Sequence, residues 1–231
     1  HTHWIILFVV LLLPLRGAAT WYLLRPEPTP VAAAASSANA EAIGTEERHT
    51  MGNPKAPVTL IEYAAFTCPH CAEFNELVIP ALKEKYINTG KVFYVFRVLP
   101  IVPADFKAEG LTSCLAKEKY FEVGDTLFKR QNEWGPMQMS EHGPGYDMEH
   151  QPKTDAGLIK LGGDLGLDAA KARSCMLNTE VHLLMNTIAE AGAQRYGLTG
   201  TPTVIVNGQV VTTPHDAAQL SALLDPMLQG K

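Results

Sequence analysis

The chain has 231 residues, 46% of them hydrophobic and 19% charged, with a formal net charge of -5. That apolar share is enough to bury a core, which excludes disorder throughout. An acidic balance with no Lys/Arg block argues against nucleic acid as a partner, and four cysteines are too few for a small disulfide scaffold.

Residues 4–13 read WIILFVVLLL, about the length of a signal-peptide core and short for a membrane span. A second apolar stretch around Trp21–Leu24 lengthens the segment if Arg16 is tolerated. Residues 1–24 therefore read as a cleaved signal or a retained membrane anchor, and either implies export. Residues 25–50, rich in Pro, Ala and Ser, have a linker composition. The folded part is expected over 51–231.

Pro57–Tyr63 is β-branched and aromatic behind the turn sequence Gly52-Asn53-Pro54, which predicts a strand. Apolar residues at Phe74, Leu77, Val78, Ala81, Leu82 and Tyr86 have helical spacing. Pro80 is expected to kink that helix and Gly90 to end it. Val92–Val98 is a continuous apolar run, as buried parallel strands have. Thr203–Val206 and Gln209–Val211 flank Asn207-Gly208, a strong hairpin signal. Thr213-Pro214 then opens a last helix carrying Leu220, Leu223, Leu224 and Leu228.

Residues 99–202 exceed what a crossover between parallel strands needs, a dozen or so residues plus a helix. The surplus predicts an inserted helical subdomain at about 104–196. Its helical patterns run through Leu111, Leu115, Phe121 and Leu127-Phe128, and later through Leu177, Val181, Leu184-Met185, Ile188 and Tyr196. The fold class is α/β.

Chemistry concentrates at Cys68-Pro69-His70-Cys71, between a strand and a helix. Haem attachment needs His directly after the second Cys, and Ala72 stands there. Zinc would usually need a second close pair of ligands, whereas Cys114 and Cys175 are 61 residues apart. A disulfide closing so short a loop stabilises little. A redox pair fits best, because a helix N-terminus presents unpaired N–H groups and positive potential to the first sulfur.

Leu60-Ile61-Glu62-Tyr63 ahead of Cys68-Pro69-His70-Cys71, together with Gly200-Thr201-Pro202-Thr203 and Val206-Asn207-Gly208, resembles the DsbA-like thiol–disulfide oxidoreductases over about residues 51–229. The resemblance implies a thioredoxin fold with an inserted helical domain and a bacterial periplasmic setting. It implies Cys68, on the exposed side, as nucleophile and Cys71 as the resolving thiol. The peptide N–H groups of His70 and Cys71, and the His70 ring, are the candidate donors to the Cys68 thiolate. It implies a cis Pro202 that sets the Thr201 backbone beside Cys68, where a substrate strand could pair. Glu62 becomes a buried acid that relays a proton to or from Cys71, with Arg97 as a candidate partner.

In a reducing compartment Cys114 and Cys175 would be buried apolar thiols; in an exported oxidase they are expected to be joined. No cofactor is implied. The implied partners are unfolded exported proteins with cysteines and a membrane thiol oxidase or reductase. Two features depart from the pure oxidase pattern. Thr201 before Pro202 is shared with isomerase-type and reductase-type relatives, which makes an isomerase or reductase the alternative function. Segment 134–152 looks like a local addition, an exposed Gly/Pro-punctuated loop in its simplest reading. Its Met137, Met139, His142, Met148 and His150 are soft ligands that suit copper(I), so a copper-binding module is the rival from another class.

Overall fold

The computed structural model describes residues 49–140, 143–146 and 151–229. The apolar segment expected over 1–24 lies outside them, as do residues 25–48 of the linker expected over 25–50; the last linker residue, Thr50, instead pairs with Val95 in the sheet. Among the described residues, no helix is long and apolar enough to cross a membrane.

The sheet is built on β2 (Val58–Ala64), whose residues are buried apart from Thr59. It lies parallel to β3 (Val92–Val98) and antiparallel to β6 (Thr203–Val206). The edge strand β1 (Thr50–Met51) pairs antiparallel with β3. Two residues give too short a pattern to read from sequence. At the other edge, β7 (Gln209–Val211) returns through Asn207-Gly208, where both residues have positive φ, as the twist of a tight hairpin requires. The order across the sheet is thus β1-β3-β2-β6-β7.

The helix after Cys68 is divided. α1 (Pro69–Leu77) ends before α2 (Ile79–Leu82), and a π-helical turn follows over Lys83–Ile87. Pro80 is therefore not a kink inside a continuous helix. It sits in the first turn of α2, where its missing N–H costs nothing.

The insertion between β3 and β6 carries α3 (Pro103–Thr112), α4 (Tyr120–Lys129), α5 (Gln131–Trp134), α6 (Gln151–Asp164), α7 (Ala169–Met176) and α8 (Thr179–Tyr196). It also holds a two-stranded sheet of β4 (Met137–Ser140) and β5 (Gly143–Tyr146), paired antiparallel. Paired strands thus stand where the sequence suggests a punctuated loop. Backbone pairing satisfies these N–H and C=O groups despite Gly143, Pro144 and Gly145 in the second strand.

Strand residues alternate between the two faces of the sheet. Leu60, Ala64, Tyr94 and Phe96 face the main core, shared with α1, α9 (Ala217–Leu228) and the insertion. Ile61, Tyr63, Val95 and Ile205 face a second core with Ile188, Tyr196 and Leu198. Gly192 makes this second approach possible. A Cβ there would lie 2.7 Å from the Tyr63 ring.

Candidate active site

The turn Ala65–Cys68 connects β2 to α1. Cys68 is the N-cap residue with extended backbone (φ -78, ψ 119), and Pro69 takes the first helical position. Proline suits that place because its φ is preset and no N–H is lost. Cys71 lies one turn inside the helix. Both are free thiols in this structure. Cys68 is expected on the exposed side, but it is only 5% exposed, and Cys71 is fully buried. Cys68 is the more accessible of the two and still nearly covered.

Opposite surroundings split the acidities of the two thiols. Cys68 is held down to about 6, first by its hydrogen bond with the Cys71 thiol. Burial opposes this, while the Thr201 side chain and the N–H groups of Cys71 and His70 add to it. Cys71 is pushed up, mainly by burial, then by its bond to Cys68 and the nearby charges of Cys68 and Glu62. The His70 ring is not among the donors to Cys68. Its Nδ1 lies 3.1 Å from Glu73 Oε2, and both side chains are more than half exposed. The i,i+3 spacing places these two on one helix face, and the ring turns outward along it.

The Thr201–Pro202 peptide bond is cis, and the Cys68 thiol donates to the Thr201 carbonyl at 3.5 Å. Beside it runs a groove of about 380 Å³, lined by residues that include His70, Phe74, Leu77, Pro202, Pro214 and His215.

Beneath the thiols, Glu62 is 2% exposed and accepts a hydrogen bond from the Tyr94 hydroxyl at 2.6 Å. Burial pushes its carboxyl up to about 8; the Tyr94 bond opposes this and the Cys68 charge adds to it. Glu62 and Tyr94 border a cavity of about 20 Å³, reached also by Asn75, Lys83 and Asp125. That is room for about one water molecule. Arg97, the expected partner of Glu62, lies on the other face of the sheet. It registers with Tyr63 and donates to the Tyr63 hydroxyl at 2.8 Å. Strand parity excludes the pairing, because Glu62 registers with Phe96, one residue before Arg97.

Three site residues escape the sequence reading. Tyr94 is hidden in an apolar run, although its parity with Glu62 could have marked it. Asp105 accepts from Thr67 N (2.9 Å), Thr67 Oγ1 (3.1 Å), Ile101 N (3.0 Å) and Val102 N (3.1 Å). An acid in the first turn behind Pro103 is a helix-start signal, but its reach to Thr67 is not. Burial pushes Asp105 up to about 6 against these bonds. Gln131 donates through Nε2 to Phe66 O (2.6 Å) and Cys68 O (3.0 Å), and no local signal announces it.

Away from the pair, Cys114 and Cys175 are joined with their Cα atoms 5.9 Å apart. Among the described residues, no three His, Cys, Asp or Glu side chains converge on a possible metal position. Met137 and Met139 lie on β4. His142, Met148 and His150 lie outside the described residues.

A central β2, a Cys-x-x-Cys capping the helix behind it, and a cis-proline loop facing the first cysteine define a thioredoxin fold, here with a helical insertion. The chain belongs to the thioredoxin family, whose model matches residues 44–226. A Rickettsia typhi protein, provisionally named a protein-disulfide oxidoreductase, is 30% identical over 185 residues, 78% of this chain and 62% of its own length. The chain thus spans about three fifths of the curated relatives it matches first. Its fold is also that of alpha-DsbA1 from Wolbachia pipientis, with TM-score 0.64, 23% identity, and coverage of 89% of this chain and 94% of that one. A structure named protein-disulfide isomerase from Novosphingobium aromaticivorans gives TM-score 0.67 at 23% identity, over 78% and 97% of the two chains.

Proposed function

We propose that this chain is an exported thiol–disulfide oxidoreductase that passes the Cys68–Cys71 disulfide to exported proteins bearing pairs of reduced cysteines. The observation that carries this reading is the opposed acidity of two thiols one helical turn apart, Cys68 held down to about 6 and Cys71 pushed up. A thiol of low pKa is both the better leaving group and the one present as thiolate at neutral pH.

In the oxidising direction a substrate thiolate attacks Cys68 Sγ of the disulfide, and the S–S bond breaks towards Cys71. Cys71 leaves as a thiolate of high basicity and needs a proton. In this reading Glu62 supplies it: burial pushes its carboxyl up to about 8, its charge is felt by Cys71, and the Tyr94 hydroxyl bonds to that carboxyl. A second substrate thiolate then attacks the substrate sulfur of the mixed disulfide, and Cys68 departs as a stable thiolate. The substrate loses two electrons and two protons, and the enzyme pair gains the electrons. Glu62 regains its proton from solvent, and the cavity beside it has room for about one water molecule on that route. A membrane thiol oxidase is the class of partner that would restore the disulfide. The cis-Pro202 loop supports a substrate strand beside Cys68, and the apolar run at 4–13 supports export to a periplasmic setting.

Thr201 ahead of Pro202 favours a second reading, an isomerase or reductase kept reduced by a membrane partner. The redox potential of the pair against glutathione separates the two. A value well above about -200 mV supports the oxidase, and one near about -270 mV the reductase.

A further inference from the structure

The turn that carries Cys68 is held from outside the thioredoxin core. Cys68 N–H donates to Ala65 O within the turn at 3.1 Å. Thr67 is held through N–H and hydroxyl by Asp105 of α3. The two flanking carbonyls, Phe66 O and Cys68 O, both accept from the single amide nitrogen of Gln131 on α5. Cys68 O is also the acceptor that starts α1, taking Cys71 N–H at 3.1 Å and Ala72 N–H at 3.2 Å. Its direction therefore sets where the first-turn N–H groups of His70 and Cys71 aim relative to Cys68 Sγ.

We infer that Gln131 is a positioning residue that sets the acidity of Cys68, coupling the helical insertion to the redox pair. Two effects act in the same direction. The clamp fixes the N-cap peptide so that the first-turn N–H groups point at the sulfur, and such preorganised donors are what stabilise a thiolate at a helix start. The donated N–H groups also offset two carbonyl dipoles within two residues of the sulfur, whose negative ends would oppose a nearby charge. The donor comes from α5, directly ahead of the β4–β5 hairpin, so whatever shifts α5 also changes the reactivity of Cys68.

This inference rests on the reading of Cys68 as the reactive thiol, and one experiment tests the two separately. The rate of alkylation by iodoacetamide, followed against pH on the reduced protein with the labelled cysteine identified by mass, gives the midpoint of thiolate formation at Cys68. In wild type a midpoint near the ordinary thiol value of 9.0 would overturn the reading of the site itself. With a low wild-type midpoint, Gln131→Met, matched in length and without a donor, should raise it by about one pH unit, some tenfold in the acid constant. Gln131→Lys, which keeps N–H donors at similar reach, should leave it at or below the wild-type value. An unchanged midpoint in Gln131→Met, or an equal rise in both variants, overturns the inference. A purely structural role would lower the unfolding midpoint and leave the alkylation profile in place.

Discussion

Tyr94 and Glu62 face each other from neighbouring parallel strands, with the Tyr94 hydroxyl 2.6 Å from Glu62 Oε2 and both residues almost wholly buried. Burial pushes the pKa of an acid in that position up, here to about 8, because its charge would be stranded in the core. The tyrosine supplies one strong hydrogen bond without a compensating charge.

Glu62→Gln should therefore stabilise the fold at neutral and alkaline pH. A carboxyl whose folded pKa is raised to about 8 contributes stability that is fully present below its unfolded pKa near 4.5. That contribution is lost as pH rises through 8. The variant lacks the titration, and its amide oxygen still accepts from Tyr94. Its stability relative to wild type should rise between pH 4.5 and 8 by up to about 5 kcal/mol, at about 1.4 kcal/mol for each pH unit crossed. Urea titrations across that range measure it, and a constant difference would contradict the buried-acid assignment. The same variant should slow disulfide transfer below pH 8, where wild type holds the proton for Cys71.

The Cys68 thiolate titrates with the opposite sign, and only in the reduced protein. A folded pKa held down to about 6 from an ordinary 9.0 contributes stability above the unfolded pKa, lost as pH falls through 6. The stability of reduced minus oxidised protein should thus climb by up to about 1.4 kcal/mol per pH unit between 6 and 9. Glu62 titrates in both forms, so the subtraction leaves only the part of its shift that the Cys68 charge adds in the reduced protein. Paired denaturant curves of the two redox forms give the slope, and a flat difference would show that Cys68 is not acidified.

Partner trapping separates the two cysteines. Cys71→Ser leaves Cys68 able to enter a mixed disulfide with no thiol to resolve it. Non-reducing gels of the variant expressed with its exported partners should show adducts that reductant dissolves. Trapping by Cys68→Ser in place of Cys71→Ser would reverse the nucleophile assignment.

The remote pair ties α7 to the chain just beyond α3 across a sequence separation of 61. On the chain-entropy model, replacing both Cys114 and Cys175 by Ala should cost up to about 4 kcal/mol, with the Cys68 alkylation midpoint unchanged. Peptide mapping without reductant should recover Cys114 linked to Cys175. Free thiols at both positions in protein from an oxidising compartment would refute the pairing.

The sequence by itself determined the elements whose signals are local. The strands at 58–64, 92–98, 203–206 and 209–211 follow from short apolar runs and Asn207-Gly208, since strand period and turn chemistry act over a few residues. The Cys-x-x-Cys at a helix start is equally local, and it locates the chemistry. Tertiary structure alone decided which groups meet there. Strand parity sent Arg97 to Tyr63 and gave Glu62 to Tyr94. Helix-face spacing turned the His70 ring to Glu73. The clamp on the active turn comes from Asp105 and Gln131, 38 and 63 residues along the chain from Thr67 and Cys68. Contacts at such separation leave no periodic trace in either segment, because each polar residue is locally compatible with solvent. Only the packing of α3 and α5 against the β2–α1 turn makes them partners.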